Sequence, residues 1–117
     1  MKVLFVEYPK CSTCQKAKKW LDSHGVDYED RDIKADNPTA EEIKVWREKG
    51  NLPLKKFFNT SGMLYRSMEL KDRLPSMTEE EQYTLLGTDG MLVKRPILVA
   101  DDVVLVGYKE SEWEKLL

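Results

Sequence analysis

The stretch "KVLFVEYPKCSTCQKAKKWLDSHG", residues 2–25, narrows the available folds more than any other part of the chain. Its first seven residues form a short apolar run that ends at Pro9 and reads as a buried strand. Next, Cys14, Ala17, Trp20, Leu21 and His24 recur at three- and four-residue steps. That spacing predicts a helix from about Ser12 to His24, stopped by Gly25. A C-x-x-C pair therefore sits where a strand hands over to a helix. Such a pair can bind a metal, staple the chain or perform thiol chemistry.

The remaining periodicities predict a frame for it. "VDYEDRDI" alternates weakly, and its place after Gly25 makes a β-α-β unit the economical reading. "NPTAEEIKVWREKG" reads as a helix, with Thr39 and Glu42 as a capping box and Gly50 as its stop. Residues 51–90 read as mostly helical and irregular. They include a short helix in "LPLKKFFNTSG" closed by Asn59 to Gly62, and another in "TEEEQYTLLG" opened by a Thr78–Glu81 box. From Met91, "MLVKRPILVA" and "VVLVGY" read as two strands joined by a tight turn at Asp101–Asp102. "SEWEKLL" adds a terminal helix with a Ser111–Glu114 box. The order is β-α-β, a helical insertion, then β-β-α. It predicts an α/β thioredoxin-like fold, a four-stranded mixed sheet flanked by helices.

Composition bounds the rest. With 117 residues and 41% hydrophobic content, residues 1–117 are expected to form a single domain with one modest core. The formal charge is only −2, with signs mixed, so neither direct nucleic-acid binding nor an acidic tail is expected. "MKVLFVEYPK" is too short an apolar run for a signal peptide or a membrane span. A soluble, cytoplasmic protein follows, and nothing demands more than a monomer. Reducing cytosol disfavours a lasting structural disulfide.

Thiol chemistry is accordingly the leading reading of the pair. A structural zinc needs four ligands, and the chain offers two cysteines and His24, its one histidine. Cys11 falls near the helix N-cap, where unpaired N–H groups and the positive dipole end favour thiolate. Lys10 adds a cation beside it, and Lys16, Lys18 and Lys19 raise the local potential. Cys14, one turn later, should be more buried and able to attack a bond formed at Cys11. "KRPILV" is the second informative spot. In a thioredoxin-like fold Pro96 lies beside the cysteine pair, usually after a cis peptide, and Arg95 would face Cys11 as an anion clamp. Trp20, Trp46, Trp113, Phe57 and Phe58 read as packing residues, and His24 as a helix-end residue.

"YPKCSTCQKAKKWLDSHGVDYEDRDI", "NPTAEEI", "LPLKKFFNTSG" and "KRPILVADDVVLVGYKESEWEKLL" together resemble the ArsC/Spx family of glutaredoxin-like arsenate reductases and related thiol proteins. The likeness spans essentially the whole chain. It implies that Cys11 is the nucleophile that attacks arsenate, and that Arg95 helps hold the oxyanion. Glutathione, with glutaredoxin, would then reduce the adduct. Those reductases use two further arginines. This chain has Asn59 about where one is expected, and Gly107 and Tyr108, with Lys109 nearby, about where the other is. The loss should weaken oxyanion binding. The paired cysteines resemble the redox switch of the Spx-like branch, whose members bind the RNA polymerase alpha subunit. "REKGNLPLKKFFNTSG" does not resemble that branch's polymerase-contacting segment, and the chain ends at Leu117 without its longer basic tail. The regulator is therefore the alternative.

The expectation is a thiol oxidoreductase in which Cys11 attacks an oxyanion or thiol substrate and Cys14 resolves the adduct. Ser12 and Thr13 would contribute N–H groups, while Arg95 clamps charge and Pro96 shapes the groove. No metal or tightly bound cofactor is implied. Glutathione, glutaredoxin or thioredoxin would supply electrons from outside.

Overall fold

The periodicities at the start of the chain translate directly into strand, helix and strand. In a computed structural model that describes residues 2–116, β1 (Lys2–Glu7) leads into α1 (Ser12–Ser23) and the chain returns as β2 (Asp27–Asp32). Gly25 makes the turn at φ +65, a left-handed conformation that costs glycine little. The Val26 N–H donates back to Leu21 O at 3.0 Å and closes the end of α1. β2 pairs parallel to β1, from Lys2↔Asp27 to Glu7↔Asp32.

α2 (Ala40–Gly50) opens with the expected capping box. The Thr39 side chain accepts from the Glu42 N–H, and the Glu42 carboxylate accepts from the Thr39 N–H. Its stop differs from expectation: the left-handed residue is Asn51, at φ 49, while Gly50 remains helical. Gly50 is small for a packing reason instead. A Cβ there would lie 2.9 Å from Leu52 Cδ1 and 3.1 Å from Val104 Cβ.

The insertion contains a 3-10 turn at Leu54–Phe57, then α3 (Met63–Ser67), α4 (Leu70–Arg73), a second 3-10 turn at Leu74–Ser76 and α5 (Glu79–Leu86). Thr78 and Glu81 form the second expected box. The long strand expected from Met91 is shorter in the structure, with β3 covering only Ile97–Val99. Two contacts shorten it. The Asp89 carboxylate accepts from the Met91 N–H at 2.8 Å and turns Gly90–Leu92 into a 3-10 segment. Gly90 also packs so tightly on Ile33 that a Cβ would lie 1.8 Å from the Ile33 carbonyl oxygen. The Arg95–Pro96 peptide is cis. β4 (Val104–Val106) returns antiparallel after Asp101–Asp102, with Ala100 N–H donating to Val103 O at 2.8 Å.

The expected Ser111–Glu114 box does not form. α6 (Glu110–Trp113) starts earlier, at Lys109, whose carbonyl accepts from both Glu112 and Trp113 N–H groups. Ser111 therefore already lies inside the first turn. A 3-10 segment continues to Leu116, and the Leu117 end of the expected helix lies outside the described residues.

The sheet order is β2-β1-β3-β4. Alternation along β1 feeds two cores. Val3 and Phe5 pack with Ala17, Leu21 and Trp113 on the α1 and α6 face. Val6 packs with Ile43, Trp46 and the insertion on the other face. All three tryptophans, Phe57 and Phe58 are buried, as expected of packing residues. The architecture is the expected α/β, thioredoxin-like one.

Candidate active site at the cysteine helix

Cys11 is the N-cap of α1, with φ −86 and ψ 123, and its side chain caps nothing. The Cys11 N–H is held by Tyr8 O at 2.9 Å, which fixes the loop between β1 and α1. The thiol is partly exposed and unpaired by any disulfide. Burial alone would raise its pKa. The N–H groups of Cys14 and Thr13, the Cys14 thiol and the Arg95 guanidinium outweigh that and bring it below the ordinary cysteine value.

Cys14, one turn on, is fully buried. The Tyr8 N–H reaches its Sγ at 3.5 Å. Burial dominates here, and the neighbouring Cys11 and Glu7 add to it, pushing the Cys14 thiol up to about 12. The two sulfurs thus have opposite characters. An expected result follows for alkylation by iodoacetamide. Cys11 should react with a pH midpoint below that of an ordinary thiol, while Cys14 stays unmodified through neutral pH. Peptide mass analysis across a pH series checks both, and a normal midpoint at Cys11 would contradict the assigned electrostatics.

Cys11, Thr13 and Arg95 line one open cleft of about 740 Å³. Lys56, Lys94 and Lys109 line it too, against a single acid, Glu112. Arg95 is steadied by Tyr8, whose ring centroid lies 5.4 Å from the guanidinium carbon, and its Nη1 donates to Val93 O at 3.4 Å. Its Nε is buried and has no hydrogen-bond partner in the protein. A buried donor without an acceptor is costly, and Arg95 carries that cost on the cleft wall. Asn59, Gly107 and Tyr108 stand on the same wall, where the resemblance expects the two further arginines.

Not every expected residue reaches the cleft. Ser12 is exposed and Pro96 buried, and neither lines it. Pro96 instead accepts from the Gly107 N–H at 2.7 Å and so anchors that wall. Asp101–Asp102 serves the hairpin turn. His24 ends α1, stacked 4.2 Å from Trp20. Sequence reasoning missed Lys56 and Lys94, which look ordinary as isolated lysines. It also missed Glu7, the one buried charged residue among those described, at 3% exposure. The signal for Glu7 was available: it continues the inward series Val3, Phe5 at strand spacing.

Comparison with known proteins agrees with this geometry. The chain is 50% identical to an uncharacterized protein, YusI, of Bacillus subtilis, over 98% of each chain. It is 29% identical to the global transcriptional regulator Spx of Staphylococcus epidermidis, over 93% of this chain and 82% of that one. Among solved structures, an ArsC family related protein of Bacteroides fragilis superposes with a TM-score of 0.96 at 58% identity, covering 100% of this chain and 98% of that one. A possible arsenate reductase of Streptococcus mutans superposes with a TM-score of 0.87 at 46% identity, over 96% and 97% of the two chains. A sequence profile of the ArsC family matches residues 6–116, from the end of β1 through the last helical turn, and so takes in both cysteines, Arg95 and the cleft. The chain belongs to the ArsC family.

Proposed function

We propose that the protein is an ArsC-family thiol oxidoreductase that attacks an anionic substrate with Cys11 and resolves the adduct with Cys14. One observation carries the reading: a thiol of lowered pKa stands on the wall of a cation-rich cleft, with a buried thiol of raised pKa directly behind it. Cys11 thiolate attacks the substrate sulfur or oxyanion centre. Arg95 and the N–H groups of Thr13 and Cys14 stabilise the negative charge that develops, while Ser12, expected to share that task, lies outside the cleft. Pro96 shapes the groove, here by holding Gly107. Cys14 then displaces the product and leaves a Cys11–Cys14 disulfide, which glutathione, with or without glutaredoxin, or thioredoxin reduces from outside. Such cycling belongs in a reducing compartment, the cytoplasm.

The cleft favours anions generally over arsenate specifically. Arg95 keeps an unpartnered Nε, but Asn59, Gly107 and Tyr108 supply no guanidinium for a tetrahedral oxyanion. The lysines are point charges better suited to a carboxylate-bearing thiol or disulfide. The deciding assay is arsenate-dependent NADPH oxidation, coupled separately to glutathione/glutaredoxin and to thioredoxin, with Cys11→Ser as the blank. Turnover lost in the blank makes the protein an arsenate reductase. No arsenate turnover, with a Cys11–Cys14 disulfide that still cycles, makes it a thiol–disulfide protein. Failure of both sinks the enzyme reading.

Arg95→Ala is expected to raise the arsenate or sulfite concentration that protects Cys11 from alkylation by about 10- to 100-fold, the worth of one charged hydrogen bond. Unchanged protection would remove the clamp. Similarity to Spx supports a second reading, a redox-sensing regulator that binds the RNA polymerase alpha subunit. A pull-down with the alpha C-terminal domain decides it: no binding in either redox state excludes that role.

A further inference from the structure

β1 delivers one side chain to the cysteine helix that the thiol chemistry above does not use. Val3, Phe5 and Glu7 alternate onto the α1 face, and the first two pack against Ala17 and Leu21. Glu7 continues that row toward the start of α1. Its neighbour Tyr8 donates its N–H to Cys14 Sγ, so the Glu7–Tyr8 peptide lies against the buried thiol. We propose that Glu7 is the proton acceptor for Cys14, taking the thiol proton as Cys14 attacks a bond formed at Cys11. The inference rests on the resolving role given to Cys14 above.

The groups around Glu7 fit that task. From β2, Asp30 hydrogen-bonds with the Glu7 carboxyl, and Asp32 is its register partner. From α1, Cys14 and Lys18 face it, and β3 carries no titratable side chain. Burial works against ionising Asp30, but its hydrogen bond with Glu7 and Lys18 at 2.8 Å together hold it below the ordinary carboxylate value, which leaves Glu7 as the member of the carboxyl pair that carries the proton. Burial first, then Asp30, pushes Glu7 up to about 7. Near neutral pH it therefore exists in both forms, as a working base must. Asp30 is one-third exposed and gives the proton a way out to water.

The steps balance for a disulfide substrate. Cys11 thiolate attacks R–S–S–R, forming Cys11–S–S–R and releasing RS⁻. Cys14 S–H gives its proton to the Glu7 carboxylate, and the resulting thiolate attacks Cys11 Sγ. The Cys11–Cys14 bond forms as the second RS⁻ leaves with its electron pair. The substrate gains two electrons, the protein dithiol loses two, and Glu7 returns its proton to water.

A single-turnover reaction of the reduced protein with dithiobis(nitrobenzoate) separates the two attacks. Each releases one coloured thiolate, the first from Cys11 and the second from Cys14. In the native protein the second phase should accelerate as pH rises through about 7, the pH at which Glu7 becomes a carboxylate. In Glu7→Gln the first phase should be unchanged, which also reports an intact site. The second phase should slow by about 100-fold at pH 7 and lose its inflection, and Glu7→Asp should restore part of the rate. Asp30→Asn should move the native inflection to lower pH, because it removes the neighbouring negative charge.

A second phase in Glu7→Gln that is as fast as native, or faster, overturns the inference. It would mean that Glu7 acts only as a charge holding Cys14 protonated. A native protein that releases a single thiolate would instead remove the resolving role of Cys14, and this inference with it.

Discussion

Cys11→Ser is expected to lower substrate turnover by more than about 10⁴-fold, because a serine hydroxyl does not ionise where the thiolate does. The cap position, the backbone N–H groups of Thr13 and Cys14 and the cation-rich wall would all remain. The loss would therefore report the nucleophile and not a collapse of the site. Cys14→Ser should lose turnover as well, but by another route. It keeps the first attack and should accumulate a mixed disulfide on Cys11, visible by intact-protein mass. If Cys14→Ser turns over with a monothiol reductant such as glutathione, an external thiol can do the resolving. If Cys11→Ser retains turnover, the proposed mechanism is wrong at its first step.

Trp113→Ala should produce the largest stability loss, about 3–5 kcal/mol, through lost burial and the cavity left behind. Trp113 is fully buried. It meets Tyr108, Trp20 and Phe5 edge-to-face, with ring centroids 5.0, 5.8 and 6.3 Å away. Its Nε1–H donates to Gly107 O at 3.2 Å. For a domain whose whole stability is on the order of 5–15 kcal/mol, that loss takes a large share of the fold. Urea titration with the native protein as reference measures it. A loss below about 1 kcal/mol would show that the site collapses without penalty. Because Gly107 and Tyr108 line the cleft, Trp113 also ties the core to the site. Trp113→Phe keeps an aromatic ring but drops the Gly107 bond, so it should disturb the cleft wall at a smaller cost in stability.

Features written within one turn of chain are legible in the sequence. The step pattern of Cys14, Ala17, Trp20 and Leu21 produces α1, because residues three and four apart share a helix face. Thr39–Glu42 and Thr78–Glu81 cap as expected, since each box is complete within four residues. Ser111–Glu114 has the same spacing, with serine in place of threonine, and fails. Its helix has already begun at Lys109, so the motif is present but the start is not. The strand expected from Met91 shrinks because Gly90 is drawn against Ile33, a contact between distant segments.

The local sequence alone determined that a thiol would cap a helix after a short strand, with a second thiol one turn behind it. Helix period, turn residues and the N–H groups of a helix start all act over a few residues, so spacing suffices to place them. The tertiary structure decided what surrounds that thiol. Lys56, Lys94, Arg95 and Lys109 reach one cleft from separate segments, and the Glu7–Tyr8 peptide meets Cys14 only because the end of β1 packs against the start of α1. Those neighbours set the charge and the pKa values, and electrostatic effects depend on distance in space and burial, which spacing along the chain does not supply.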